Sequence, residues 1–257
     1  MGIRKYWIVL GAILGAIPAF VAVSASSSIM IPENIARAVE DPNRPAADKE
    51  RDSARKPSEV LKFAGVKLGQ TVVDFMPGHG YFTRLFSVAV GPKGKVYAFI
   101  PTEVAQFSKS PLPANGSTPD PKYPNVTALV ASASDFATPT RVDLVWTSQN
   151  YHDLHDPFMG PVDMLKFDRA VFKALKPGGT FIVLDHSALP GSGVTATNTL
   201  HRIDADTVKK EVAAAGFIFA GESDLLSNPA DPRTAKVFDP AIRGHTDQFI
   251  YKFRKPS

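Results

Sequence analysis

Cysteine is absent from the chain, which excludes disulfide scaffolds, thiolate zinc sites, cysteine nucleophiles and lipid anchors carried on cysteine. Charge of one sign is also scarce. Lys and Arg number 29 against 25 Asp and Glu, a net +4, and no block of five like charges occurs. Arg4 and Lys5 supply two of those charges, so the remainder carries only +2, too weak a field to expect nucleic acid or another polyanion as partner. No serine sits in a G-x-S-x-G elbow and no phosphate loop ends in Gly-Lys-Ser/Thr, so neither of those sites for acyl or phosphoryl chemistry is expected. No internal repeat is found. What is present is an average globular composition, 44% hydrophobic and 21% charged over 257 residues. That suffices for a sizeable core and excludes disorder of the whole chain.

The first residues read as an address. Arg4-Lys5 precede an uncharged apolar run, Tyr6–Val23, followed by the small-residue stretch Ala22-Val23-Ser24-Ala25 and then three serines. A basic start, an apolar stretch and a small-x-small site ending at Ala25 form the pattern of a secretory signal peptide, here residues 1–25. Pro18 inside the run suits a signal better than a long stable helix. The alternative is an uncleaved membrane anchor, since the run just reaches the spanning length. Either reading puts the rest of the chain outside the cytoplasm, and the periplasm is the expected compartment.

Residues 26–57, with Pro32, Pro42, Pro45 and Pro57 among many charges, read as an arm or linker with at most a helical turn near Asn34–Glu40. From residue 58 to 257 strand and helix signals alternate. Thr71–Phe75, Lys95–Ile100, Val126–Val130, Val142–Thr147 and Thr180–Asp185 are short apolar or β-branched runs. Gly80–Val90, Val162–Leu175 and Thr207–Ala215 carry helical spacing, and Phe217–Ala220 and Gln248–Phe253 close the chain as strands. Such alternation predicts an α/β fold, a mostly parallel doubly wound sheet covered by helices on both faces. Pro101–Pro124, with six prolines, and the polar Ser223–His245 fall outside this rhythm. Long irregular segments of this kind are either functional loops or surface decoration.

The stretch Val72–Thr83 (VVDFMPGHGYFT), then Gly94–Ala98, Val142–Val145 and Leu175–Leu184 (LKPGGTFIVL) occur in an order that resembles the class I S-adenosylmethionine-dependent methyltransferases. Asn150-Tyr151-His152-Asp153, Leu200–Asp204 and Asn228–Asp231 with Phe238-Asp239-Pro240 are similar, more narrowly, to a group of exported bacterial proteins called predicted methyltransferases. The resemblance implies a Rossmann-like, seven-stranded sheet over residues 58–257. It also implies that S-adenosylmethionine, if bound, would meet Asp74, Gly78, Gly80 and Glu103. The chain departs from the family pattern at two points. Met76 stands where the first glycine of the acid-x-Gly-x-Gly-x-Gly loop belongs, and Ile100-Pro101 stands where an acid normally holds the ribose, with Glu103 the nearest substitute.

On an open parallel sheet, ligands bind beyond the carboxyl ends of the strands. Five of the six histidines fall there: His79, His152, His155, His186 and His201. An imidazole titrates near neutral pH and can both take and return a proton. Asp153 or Asp185 could orient one, Tyr151 could donate to an oxyanion, and Arg202 could clamp a carboxylate or phosphate. The expected catalytic set is therefore His79, Tyr151, His152, Asp153, His186, His201 and Arg202. His152-x-x-His155 with Asp156 is a weaker candidate metal site, because the segment reads as a loop rather than one helical face. Phe99, Phe107, Phe158, Phe238 and Tyr151 could line a pocket for an aromatic ligand.

Taken together, these residues lead to the expectation of an exported enzyme on a methyltransferase scaffold that does not methylate. It would need no cofactor and would use His/Asp/Tyr acid–base chemistry of the lyase or isomerase type on a small, aromatic or phenolic molecule. The alternatives are a S-adenosylmethionine-dependent methyltransferase of a small molecule and a non-catalytic envelope protein that binds a small ligand or a metal.

Overall fold

Side chains alternate between the two faces of each strand, and here both faces are apolar. Val72, Leu144, Trp146, Ile182 and Leu184 point to one side, Val73, Phe75, Val145, Phe181 and Val183 to the other, and all are buried. In the computed structural model, which describes residues 1–2, 30–107, 120–160 and 162–257, these runs build a seven-stranded sheet. The strands are β1 (Thr71–Phe75), β2 (Lys95–Pro101), β3 (Val126–Ala131), β4 (Val142–Ser148), β5 (Leu175–His186), β6 (Ile218–Ser223) and β7 (Gln248–Arg254). Their order is β3-β2-β1-β4-β5-β7-β6. β1 to β5 run parallel, while β7 lies antiparallel between β5 and β6. This is the α/β architecture expected from the sequence.

The longer helices are amphipathic and cover the faces. α5 (Tyr81–Val90) buries Tyr81, Phe82, Leu85, Phe86, Ala89 and Val90; Gly80 at φ +79° begins it and Gly91 ends it. α6 (Met164–Ala174) and α8 (Ala205–Ala214) belong to the opposite face, against Phe181 and Phe217. No helix among the described residues is long and apolar enough to cross a membrane. The signal or anchor read from residues 4–25 lies outside the described residues.

Two sequence expectations are corrected. Of the segment 26–57, residues 31–57 are not a linker. From Ile31 the chain belongs to the same compact unit as the sheet, through α1 (Glu33–Glu40), α2 (Ala46–Lys49), α3 (Asp52–Arg55) and α4 (Pro57–Ala64). The charges hid a one-sided pattern: Ile35 and Ala38 are fully buried against α5, and Asn34 Nδ2 donates to the Ala89 carbonyl at 2.8 Å. Arg44, buried under the same segment, is held by Asp52 at 2.5 Å. Lys176-Pro177-Gly178-Gly179 stands ahead of the run Thr180–Asp185 that the sequence marks as a strand, yet it lies inside β5. Gly178 N donates to Lys255 O at 3.0 Å and Lys255 N to Gly179 O at 2.9 Å, so the far strand takes up the ladder. At Gly179 a Cβ would meet the Lys176 carbonyl at 2.8 Å, which explains the glycine there.

The strand order reverses between β1 and β4. That point opens a crevice at their carboxyl ends, where this class of sheet binds its ligands.

Candidate active site

The loops after β1 and β4 are tied together at the reversal. Asn150 Nδ2 donates to the Met76 carbonyl at 2.9 Å and to the Phe75 carbonyl at 3.3 Å, while the Thr147 hydroxyl donates to the Asn150 side-chain oxygen. Beyond it a 3₁₀ turn, His152–His155, starts with a buried imidazole. The His152 backbone N–H and its Nδ1 both donate to Asp185, at 2.9 and 2.8 Å. Asp185, at the end of β5, is fully buried and also accepts from the His186 N–H at 2.8 Å. That pairing fixes the ring and turns its Nε2 toward two further side chains, Asp153 Oδ1 at 3.2 Å and His201 Nδ1 at 3.3 Å. His201 follows the short helix α7 (Thr197–Leu200) in a left-handed conformation, φ +54°, and packs its ring edge-on to Phe238 at 4.8 Å. His186 is hydrogen-bonded through Nδ1 to the Thr246 hydroxyl at 2.8 Å.

These groups share a cavity of about 590 Å³. Its polar wall is His152, Asp153, Asp156, His186 and His201, with Met76, Val104, Phe158 and Phe238 on the apolar side. The electrostatics of the neighbouring imidazoles are opposite. Burial pulls His152 down, but Asp185 and Asp153 outweigh it and raise the group to about 10. Burial also pulls His186 down, and the positive His152 and Arg202 add to it, to about 4. One ring is thus a cation and the other a neutral proton acceptor, the division of labour that acid–base sites use. Burial raises the Asp156 carboxyl, while its neighbours hold Asp153 below the ordinary carboxylate value despite burial.

The structure brings His152, Asp153, His186 and His201 to this cavity, with Asp156, Phe158 and Phe238 of the residues weighed for metal or aromatic binding. Of the two acids weighed as orienters, Asp185 holds His152 from behind. The remaining members of the expected set lie elsewhere. His79 is exposed on the loop before α5 and is not among the cavity's lining residues. Tyr151 is fully buried with its hydroxyl between Asp168 at 3.0 Å and Glu211 at 3.1 Å, and Phe99 is core. Arg202 is fully buried and spends its guanidinium on Asp231 at 2.8 Å and on the carbonyls of Ser187 and Ala235. His155 turns away from His152 to Glu211 at 3.2 Å, so the His152-x-x-His155 pair is not one site. The turn explains Tyr151 and His155, since it sends successive side chains to different sides. Nothing in the sequence marks Thr246, because a lone Thr in a loop carries no spacing signal. Gln149 links Arg55 of α3 at 3.0 Å to Gln248 of β7 at 2.8 Å.

The residues implied for S-adenosylmethionine fit unevenly. Gly78, at φ +56°, has nothing within 4 Å of where a Cβ would stand, so the loop can be approached closely. Met76 adopts φ +52°, keeping the backbone turn a glycine would give but placing its side chain in the cavity. Asp74 is buried, accepts from the Thr83 hydroxyl at 2.6 Å and is raised by burial to about 7, so it braces α5 rather than reaching a ligand. Glu103 accepts from the Ser132 hydroxyl at 2.5 Å and the Ala133 N–H at 3.1 Å, bracing the 3₁₀ turn Ala133–Asp135. The loop half of the cradle is therefore present and the ribose clamp is not. As a set, these residues do not fit the cofactor in the family's manner.

No family model matches the sequence, and no curated protein matches it. Solved structures do match the fold. A S-adenosylmethionine-dependent methyltransferase from Aquifex aeolicus shares 20% identity, covering 82% of this chain and 98% of that one, with a TM-score of 0.52. One from Mesorhizobium loti shares 17%, covering 80% and 100%, with a TM-score of 0.52. SpnF, a (4+2) cyclase, shares 17%, covering 82% and 81%, with a TM-score of 0.50. At these identities the likeness establishes the class I methyltransferase fold, and fold does not fix function.

Proposed function

We propose that this chain is an enzyme acting on a small molecule in the cavity at the β1/β4 reversal. The observation that carries the reading is the histidine wall itself: His152 held from behind by buried Asp185, facing His201 and Asp153, beside His186, with Met76, Val104, Phe158, Val237 and Phe238 supplying the apolar part of the cavity. Phe158 and Phe238 suit a flat, aromatic substrate whose hydroxyl or acidic C–H meets the imidazoles.

Two reactions suit such a wall. Methyl transfer is the one favoured by the solved structures, most of which are described as methyltransferases, and by the approachable loop at Gly78. Lyase- or isomerase-type proton transfer without a cofactor is favoured by Met76 in the first glycine position and by the engagement of Asp74 and Glu103 inside the protein. A protein of this fold described as a cyclase is support of a weaker kind. Calorimetric titration of the purified chain with S-adenosylmethionine decides between them. Binding near micromolar strength, about −8 kcal/mol, establishes the cofactor and sinks the cofactor-free reading. No heat from a folded protein sinks methyl transfer.

A further inference from the structure

Three ligand-capable atoms in the cavity converge on one another. His152 Nε2, His201 Nδ1 and Asp153 Oδ1 form a triangle with sides of 3.2, 3.3 and 3.8 Å. His152 gives its Nδ1 proton to Asp185, which leaves Nε2 facing the Asp153 carboxylate at 3.2 Å and His201 Nδ1 at 3.3 Å. Either the proton of a charged imidazole or a metal cation can stand at that position between them. A tetrahedral ion with bonds of about 2.0–2.1 Å holds its ligand atoms roughly 3.3 Å apart, which matches two sides of the triangle and is about 0.5 Å short of the third.

A second observation points the same way. Asp156 is 1% exposed and lines the same cavity. Neither of its carboxylate oxygens has a hydrogen-bond partner among the described residues. The neighbouring Thr197 hydroxyl is given to the Val194 carbonyl at 3.1 Å. A buried carboxylate left without donors is costly unless a cation or a bound water serves it. Among the described residues, His152, Asp153 and His201 are the one group whose ligand atoms all lie within 4.8 Å of one another.

We propose that His152 Nε2, His201 Nδ1 and Asp153 Oδ1 hold a divalent first-row transition-metal ion, with Asp156 beside it and an open position turned to the cavity. Two imidazoles and a carboxylate without thiolate suit zinc and its neighbours rather than calcium or magnesium. Asp185 is then the outer carboxylate that fixes the ring and tautomer of a ligating histidine. Three protein ligands and one open position mark a site that takes a substrate oxygen, not a closed structural site. The ion occupies the place of the proton that His152 carries in the metal-free chain. The proposal concerns the site of the function proposed above, but it does not depend on which of the two reactions takes place there.

The test is titration of the full chain with Zn²⁺ after chelator treatment, with folding checked by circular dichroism. One equivalent binds to the wild type. His201→Ala and Asp153→Asn each weaken binding about tenfold or more. Asp185→Asn, which touches no ion, weakens it by about 10- to 100-fold. His155→Ala, at the neighbouring histidine that the sequence pairs with His152, leaves it unchanged. Absence of saturable Zn²⁺ binding by the folded wild type overturns the proposal, as does binding that survives both His201→Ala and Asp153→Asn. S-adenosylmethionine titration of the metal-free protein reads the reaction separately, so the two ideas fail independently.

Discussion

Arg202 illustrates how far a residue type can mislead. It is fully buried, as is its partner Asp231, and its fork is shared among a carboxylate and two carbonyls that bind the Ser187 region to the Ala235 loop. Burial pushes Asp231 up, but the N–H groups of Asp247 and Arg233 and the Arg202 guanidinium outweigh it, so the carboxyl sits below its ordinary value. A depressed carboxyl stabilises the fold above the unfolded value near pH 4 and loses that stabilisation as pH falls through the folded value. Arg202→Met, which strands Asp231, should cost about 3–5 kcal/mol at pH 7 by denaturant unfolding. The deficit should shrink in acid as Asp231 takes up a proton. An unchanged midpoint at pH 7 would show that the pair contributes nothing. The histidines were legible as a cluster because their types are rare and strand ends are recognisable. The partner that fixes His152 was legible only as one of two choices, since Asp153 and Asp185 look alike until the turn shows which one lies behind the ring.

Among the elements, the sheet was readable almost throughout, because a strand announces itself as a short apolar or β-branched run, as buried β1, β2 and β4 and half-buried β3 each do. Of the short helices before it, only α1 is foreshadowed, by the helical turn read near Asn34–Glu40; α2 to α4 and the packing of the segment are not. α1 spans eight residues, and only Ile35, Ala38 and the partly buried Val39 mark its face among charges, too few to stand out from a solvated arm. Its worth is in packing. Ile35→Ala removes a fully buried side chain between α1 and the α4–α5 face and should cost about 2–5 kcal/mol. A loss below 0.5 kcal/mol by the same unfolding assay would mean that the segment is a removable arm after all. The glycine pair in β5 was misread for a different reason. Pro-Gly-Gly normally stops a strand, and only the pairing with Lys255 from the far end of the chain carries the ladder through.

At the scale of the molecule, the class of fold follows from alternation, while the placement of the last two strands does not, since antiparallel insertion leaves no mark in residue order. Export remains a proposal that rests on Arg4-Lys5, the apolar run and Ala25. Expression of the full gene in a bacterium, followed by N-terminal sequencing of the periplasmic fraction, should return a chain starting at Ser26. Protein recovered from the cytoplasm with its first residues intact would dismiss it. The insertion of β7 gives that proposal a temporal side. Until residues 248–254 are made, β5 and β6 have no strand between them, and each shows a bare hydrogen-bonding edge. The sheet thus completes itself last to first, around a keystone that leaves the ribosome after everything it joins. The export proposed above would have to reach the chain before that keystone is in place.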